Sequence, residues 1–209
     1  MASTPKIRPE HYHLVRGVKA LKSNHPDVRK IKRQSDDPSI HGNKVWRSSF
    51  ALIDYLHHNP IPKRSRVIDV GCGWGLTGIW LAKQFDADVL AIDADPAVEP
   101  YLRLQAQSNG VEIRFQAARF ENLKKKDFEG VELLVGADIC FWDEMTKPLY
   151  KMLKRAHDAG VVRSIVADPG RQPFWDMAEK AQQKLDADLI SHTVKRPRKS
   201  EKHLLILAN

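Results

Sequence analysis

The run Arg66-Val67-Ile68-Asp69-Val70, breaking into Gly71-Cys72-Gly73-Trp74-Gly75, constrains this chain more than any other stretch. A short apolar run with one acid reads as a buried strand, and the glycines mark a turn into the helical pattern that follows. Glycine has no Cβ, so such a turn reaches backbone angles that other residues avoid and lets a ligand lie against the main chain. A second apolar run, Asp88-Val89-Leu90-Ala91-Ile92-Asp93, ends in an acid about twenty residues downstream, where a ribose hydroxyl needs an acceptor. Together the two runs predict a nucleoside-binding crevice at the C-terminal edge of a parallel sheet.

The rest of the chain supports such a sheet. Strands are expected near 66–70, 88–93, 112–117, 131–137 and 161–168, with helices near 75–84, 97–108, 145–157 and 172–185. This alternation predicts an α/β, Rossmann-like doubly wound fold. Two further strands, 189–194 and 203–208, are joined by a basic loop too short for a helical crossover, so they run in opposite directions. Ahead of the sheet, Val45 to His57 reads as a helix stopped by Pro60 and Pro62. Residues 1–43 are expected to form a basic, partly helical N-terminal extension, and residues 44–209 the domain proper. Within the extension, His11 to Ser23 fits one amphipathic helix with Leu14, Val18 and Leu21 on a shared face, and only partial order is expected before about residue 40.

Charge is distributed unevenly. The net +8 divides into +7 over residues 1–47, +4 over residues 195–202 and −3 over the stretch between. Basic flanks around a slightly acidic centre predict an anionic partner, with a solvated surface as the alternative. No run of eighteen apolar residues exists and the first ten residues lack an apolar core, so neither a membrane span nor a secretory signal is expected. The two cysteines, Cys72 and Cys140, have neither disulfide-framework nor zinc-ligand spacing, and no metal is expected. These features predict a cytoplasmic monomer.

The glycines admit two readings. Gly73, Gly75 and Gly78 satisfy the dinucleotide pattern G-x-G-x-x-G. With Asp69 the same stretch gives Asp-x-Gly-x-Gly-x-Gly, which resembles the first motif of the class I methyltransferases that use S-adenosylmethionine. A nicotinamide dehydrogenase normally adds a substrate domain, for which 209 residues leave no room. The resemblance implies a seven-stranded sheet, order 3-2-1-4-5-7-6 with the last strand reversed, and S-adenosyl-L-methionine as cofactor. It places Asp69, Gly71, Gly73 and Gly75 at the methionine end and Asp93 on the ribose. Where many such enzymes have an Asp near the adenine, this chain reads Ala117-Ala118-Arg119-Phe120; Ala118 is expected to make that contact through its backbone, with Phe120 packing on the ring.

Asp138-Ile139-Cys140-Phe141 follows the fourth core strand, next to the crevice. At that position it resembles the (Asp/Glu)-x-x-(Tyr/Phe) motif of the seven-β-strand protein lysine methyltransferases of methyltransferase family 16. Gly42-Asn43-Lys44-Val45-Trp46 is similar to that family's Gly-x-x-x-Trp lead-in, although Arg47 stands where a proline is common. Ala167-Asp168-Pro169-Gly170-Arg171 resembles one member's loop after the fifth core strand. The likeness implies cofactor contacts from Trp46 and Asp138, catalytic roles for Asp138 and Phe141, and a protein lysine as acceptor; the basic flanks suit an acidic protein surface or a phosphate backbone. No Asn-Pro-Pro-Tyr-type motif or Pro-Cys nucleophile follows the fourth core strand, which weighs against exocyclic-amine and C5-pyrimidine methylation. Cys140 reads as a small buried filler.

The acceptor poses the chemical difficulty. A free lysine has a pKa of about 10.4, and its protonated nitrogen cannot attack. A nearby carboxylate raises that pKa further, so Asp138 is expected to capture and orient the ammonium rather than to act as base. Phe141, Trp142 and Trp46 offer aromatic faces to a cation, with packing as the alternative reading, evenly balanced for Trp142. Arg171 either contacts a polypeptide substrate or pairs with Asp168, and Asp143 and Glu144 suit a helix N-terminus. A second reading, prompted by the basic flanks, is an RNA or nucleotide methyltransferase. A third is a non-catalytic binding module.

Overall fold

In the computed structural model, which describes residues 9–34 and 44–209, the chain begins with two short strands, β1 (Tyr12–Val15) and β2 (Val18–Leu21). Helices α1 (Pro26–Gln34) and α2 (Ser48–His58) follow. The sheet then alternates with helices: β3 (Arg66–Val70), α3 (Leu76–Phe85), β4 (Asp88–Asp93), α4 (Glu99–Asn109), β5 (Arg114–Ala117), β6 (Leu133–Ala137), α5 (Asp143–Asp158), β7 (Arg163–Asp168), α6 (Gln172–Leu185), β8 (Asp188–Val194) and β9 (Ser200–Ala208). Among the described residues no helix is long and apolar enough to cross a membrane. The polar stretch 35–42 lies outside the described residues.

Seven strands pair in the order β5-β4-β3-β6-β7-β9-β8, and β9 runs antiparallel to both of its neighbours. Leaving β1 and β2 aside, this is the expected 3-2-1-4-5-7-6 arrangement. Successive strand residues face opposite sides. Val67, Val89, Ala91, Leu133 and Val135 pack under α2, α3 and α4, while Ile68, Val70, Ile92 and Leu134 pack against α5 and α6. From β3 the chain moves outward through β4 to β5; from β6 it moves the other way through β7. The connections therefore leave in opposite directions from β3 and β6, and the C-terminal ends of these two neighbours stay uncovered.

Residues 12–21 correct the sequence expectation: they form a two-stranded hairpin, not a helix. Val15 pairs with Val18 across a two-residue turn in which Arg16 and Gly17 both have positive φ, +44° and +86°. That turn geometry matches the twist of paired strands. Helical spacing of Leu14, Val18 and Leu21 was coincidental, since Val18 and Leu21 are buried while Leu14 is exposed. The hairpin is also ordered against the domain. Its main chain is read by two buried amides one turn apart on α4, in the manner of a neighbouring strand. Gln105 Oε1 accepts from Leu21 N (2.9 Å), and Asn109 Oδ1 accepts from Lys19 N (2.7 Å). Both side-chain amides donate back to Lys19 O. Trp80 Nε1 on α3 donates to Arg16 O (3.1 Å), and Trp74 stacks on Tyr101 beneath Leu21 and Val28.

A buried backbone group left without a partner costs about 1–3 kcal/mol. Gln105→Ala strips Leu21 N of its acceptor, so urea unfolding should show a stability loss of about that size with the far-UV spectrum retained. An unchanged midpoint would mean that the hairpin contributes nothing to the stability of the fold.

Candidate active site

The gap left between the ends of β3 and β6 is a cavity of about 340 Å³. Its floor is Gly71 and Gly73 on one side and Ala137, Asp138 and Ile139 on the other; Asp93 and Ala94 close one end, and Phe141, Trp142 and Met145 the other. A narrower chamber of about 20 Å³ shares Trp46, Gly71, Gly73 and Ala137 with it and is lined further by Asp69, Ser49 and Lys44.

The turn after β3 explains how the main chain is exposed here. Gly71, Gly73 and Gly75 all have positive φ, but they do different work. A Cβ on Gly73 would meet nothing within 4 Å, so this residue leaves open space over the cavity floor. A Cβ on Gly75 would lie 1.9 Å from Leu102, so Gly75 lets α4 pack and stands outside the cavity lining. Two carboxylates hold the turn. Asp93 Oδ2 accepts from Gly73 N (2.9 Å) and Oδ1 from Asp95 N (3.0 Å). A carboxylate has about four acceptor positions, so Asp93 keeps acceptor capacity for a ligand beyond these amides. Asp69 Oδ2 accepts from Gly78 N (3.0 Å) at the start of α3. Burial pushes the Asp69 carboxyl up to about 7 and also raises Asp93.

Asp138 is the most constrained residue of the site. It follows β6 with φ +59°, a left-handed conformation that Asp tolerates better than most residues. Its amide donates to Ala167 O (2.8 Å) on β7. Its Oδ2 accepts from Ser48 N (3.0 Å), the first residue of α2, and its Oδ1 from Arg171 Nη2 (3.0 Å). Arg171 also donates from Nη1 to Asp168 Oδ2 (2.6 Å) and lies 4.1 Å from the centroid of the Phe141 ring. Asp168 in turn accepts from the amides of Gly170 and Arg171. One guanidinium thus bridges two buried carboxylates and rests on the aromatic ring of the mouth. Trp46 meets Phe141 edge-on at 5.1 Å, and Lys44 Nζ lies 4.2 Å over the Trp46 ring. Trp142 is 45 % exposed.

Of the residues singled out from sequence, Trp46, Gly71, Gly73, Asp93, Asp138, Phe141 and Trp142 border the main cavity, and Asp69 borders the small chamber. Arg171 forms the expected ion pair with Asp168 and extends it to Asp138, with its guanidinium against Phe141. Ala118 does not line the cavity. Its amide donates to Asp93 O (2.8 Å), and the lining at that end comes from Arg119, Phe120 and Glu121. Gly42 and Asn43 of the tryptophan lead-in lie outside the described residues. Sequence reasoning passed over Lys44, Ser48 and Glu144 as site residues; only the closeness of Lys44 and Ser48 to Trp46 offered a signal. Cys140 is wholly buried, its thiol pushed up to about 12, chiefly by burial. Among the described residues no cluster of ligating side chains could hold a metal ion.

A family model described as a methyltransferase domain matches residues 67–160. The electron transfer flavoprotein beta subunit lysine methyltransferase of Xenopus laevis is 32 % identical over 131 residues, covering 62 % of this chain and 52 % of the relative. The chain thus spans about half the length of that relative. Among solved structures, TrmN from Thermus thermophilus superposes with a TM-score of 0.61 at 18 % identity, covering 77 % of this chain and 48 % of that one. M. capricolum TrmK, solved with S-adenosylhomocysteine, gives 0.54 at 10 % identity, covering 75 % and 67 %. Identities this low speak for the fold alone.

The buried Asp69 makes stability depend on pH. Its folded pKa of about 7 lies above the value of about 3.9 for an unfolded Asp. Its contribution is therefore most favourable below about pH 4, falls as pH rises towards 7 and is level above that. Asp69→Asn removes the ionisation and keeps an acceptor for Gly78 N. The Tm difference, variant minus wild type, should be more positive at pH 8 than at pH 5; a difference independent of pH contradicts this environment.

Proposed function

We propose that this chain, which carries a class I S-adenosylmethionine-dependent methyltransferase domain, methylates the side-chain nitrogen of a lysine in a protein. One observation carries the reading: an aromatic mouth built from Trp46, Phe141 and Trp142 opens beside a buried carboxylate, Asp138, whose charge is partly offset by the Arg171 that it shares with Asp168.

The residues fit the cofactor. A cavity of about 340 Å³ falls within the range of small-ligand sites, about 300–1,000 Å³. Asp93 keeps acceptor capacity for a ribose diol, and Gly73 leaves the floor open. The small chamber carries one carboxylate, Asp69, and one ammonium, Lys44, a pairing suited to the zwitterionic methionine end. Bound there, S-adenosyl-L-methionine supplies a methyl group already activated on a sulfonium, so the protein's task is alignment and control of one proton.

The acceptor's proton is handled by charge balance. A lone carboxylate at the mouth would stabilise the ammonium and hold back the nucleophile. Asp138 instead divides its two oxygens between Ser48 N and the Arg171 that it shares with Asp168, so it can accept a hydrogen bond from an amine with its negative charge partly offset. This revises the simple picture of Asp138 as an ammonium trap. The rings of Trp46, Phe141 and Trp142 wall the acceptor's methylene chain with apolar surface, and desolvation among them favours the neutral amine. Loss of the proton to water then leaves a neutral amine facing the cofactor.

Lysine is favoured over a nucleobase because of that mouth and because a relative that matches over most of the domain is named for lysine methylation. Radiolabelled S-adenosylmethionine in cell extract, with purified electron transfer flavoprotein beta subunit as a second substrate, tests the reading. A nuclease-resistant labelled protein band is expected. Label confined to nuclease-sensitive material would favour RNA and overturn it.

Two variants separate binding from chemistry. Asp138→Asn should lower the transfer rate by about a hundredfold or more while S-adenosylhomocysteine affinity, by calorimetry, stays nearly unchanged. Parallel loss of both would remove Asp138 from the acceptor side. Arg171→Gln leaves Asp138 uncompensated, so the acidic limb of the kcat/KM–pH profile should move to higher pH, whereas Arg171→Lys, which keeps the charge, should largely restore it. Equal rate loss at every pH in both variants would reduce Arg171 to a structural role.

A further inference from the structure

A second groove, of about 560 Å³, lies on the α2 side of the sheet. Three elements build it. The hairpin turn contributes Leu14 to Gly17, and the end of β8 contributes Thr193 to Arg196. Helix α2 contributes Phe50, Asp54 and His58, whose spacing of four residues puts them on one face. The stripe from Phe50 to His58 is about 12 Å long, room for three or four residues of extended chain.

The groove is cationic, with Leu14 as its exposed apolar side chain. Arg16, Lys195 and Arg196 line it against one carboxylate, Asp54. That carboxylate is engaged by Arg16 (2.6 Å) and by His192 Nε2 (3.0 Å), with the result that Lys195 and Arg196 have no acidic residue of the groove left to them. Both stand exposed, and neither has an ion pair among the described residues. Leu14 beside them is 65 % exposed, more than any other large hydrophobic residue described. An exposed leucine next to uncompensated cations matches a segment that carries carboxylates and an apolar side chain. It matches a nucleic acid less well, because Phe50 in the lining is only 6 % exposed and leaves His58 as the one exposed ring there for stacking.

Position links the groove to the active site. Helix α2 starts at Ser48, whose amide donates to Asp138, and Phe50 follows half a turn later. The groove and the active site are thus joined through the first turn of α2. We infer that the groove docks an acidic stretch of the acceptor protein, its carboxylates on Lys195 and Arg196 and an apolar side chain against Leu14. The inference rests on the protein-acceptor reading given above.

The test uses the full chain and a fluorescein-labelled dodecapeptide of glutamates around one central leucine, with anisotropy read at about 0.15 M salt, where charges more than about 8 Å apart are largely screened. Lys195→Glu with Arg196→Glu should weaken this peptide by about tenfold or more, and a matched lysine peptide should now bind the variant better than the wild type. Lys125→Glu with Lys126→Glu, two exposed lysines outside the groove, should leave binding unchanged. S-adenosylhomocysteine affinity should be the same in all three proteins. Equal binding of the acidic peptide by wild type and the Lys195/Arg196 variant overturns the inference, as does equal loss in both double variants. Retention of peptide binding with loss of binding to a single-stranded RNA dodecamer assigns the groove to nucleic acid and also overturns it. Peptide binding is read without turnover, so a failure to label any protein strikes the acceptor reading alone, while the loss in the Lys195/Arg196 variant still supports the groove.

Discussion

The carboxylate of Asp138 is the joint on which the site depends. It sits where β6 ends in a left-handed residue, and its bonds reach the first amide of α2 and the guanidinium just ahead of α6, while its own amide is tied to β7. Four elements from distant parts of the chain are fixed relative to one another at the cavity floor. A buried charge in such a place is expensive unless it is paired and hydrogen-bonded. Here both conditions are met, and the same pairing sets the electrostatics of the mouth.

The charge logic extends across the crevice. The cofactor side carries two carboxylates, buried Asp69 and half-buried Asp93, each supported by backbone amides and each pushed upward by desolvation. Those amides come from the glycine turn and from the start of α3, so turn shape and carboxylate placement specify each other. The acceptor side is different: its carboxylates share one arginine, and its surface is aromatic. The proposed lysine acceptor, which must shed a proton beside a cationic cofactor, would need that division. Negative charge is useful near the nucleoside and methionine end and unhelpful when uncompensated at the nucleophile.

How much of this was readable in the sequence follows from the range of each interaction. The strand, the glycine turn and Asp93 were legible because a short motif encodes them locally; the alternation of strands and helices gave the doubly wound sheet, and the family resemblance its strand order. The reversal at β9 was legible from a connection too short for a helix. The hairpin was not. Arg16-Gly17 is a weak turn signal beside Asn-Gly, and what stabilises the pairing is the recognition of its backbone by Gln105 and Asn109, over eighty residues away. The pairing of Arg171 with Asp138 was invisible for a similar reason, since the partners are 33 residues apart and only the Asp168 contact is local. Gly75 shows the reverse error. It belongs to the motif, yet its missing Cβ makes room for Leu102 rather than for a ligand.

Soaking or co-crystallising the protein with S-adenosylhomocysteine tests the central claim most directly. The account predicts density in the crevice between β3 and β6, with the ribose hydroxyls on Asp93, the amino-acid end between Asp69 and Lys44, and the sulfur turned towards Asp138 and Phe141. A ligand whose sulfur faces away from the aromatic mouth, or density at another place on the molecule, would contradict it.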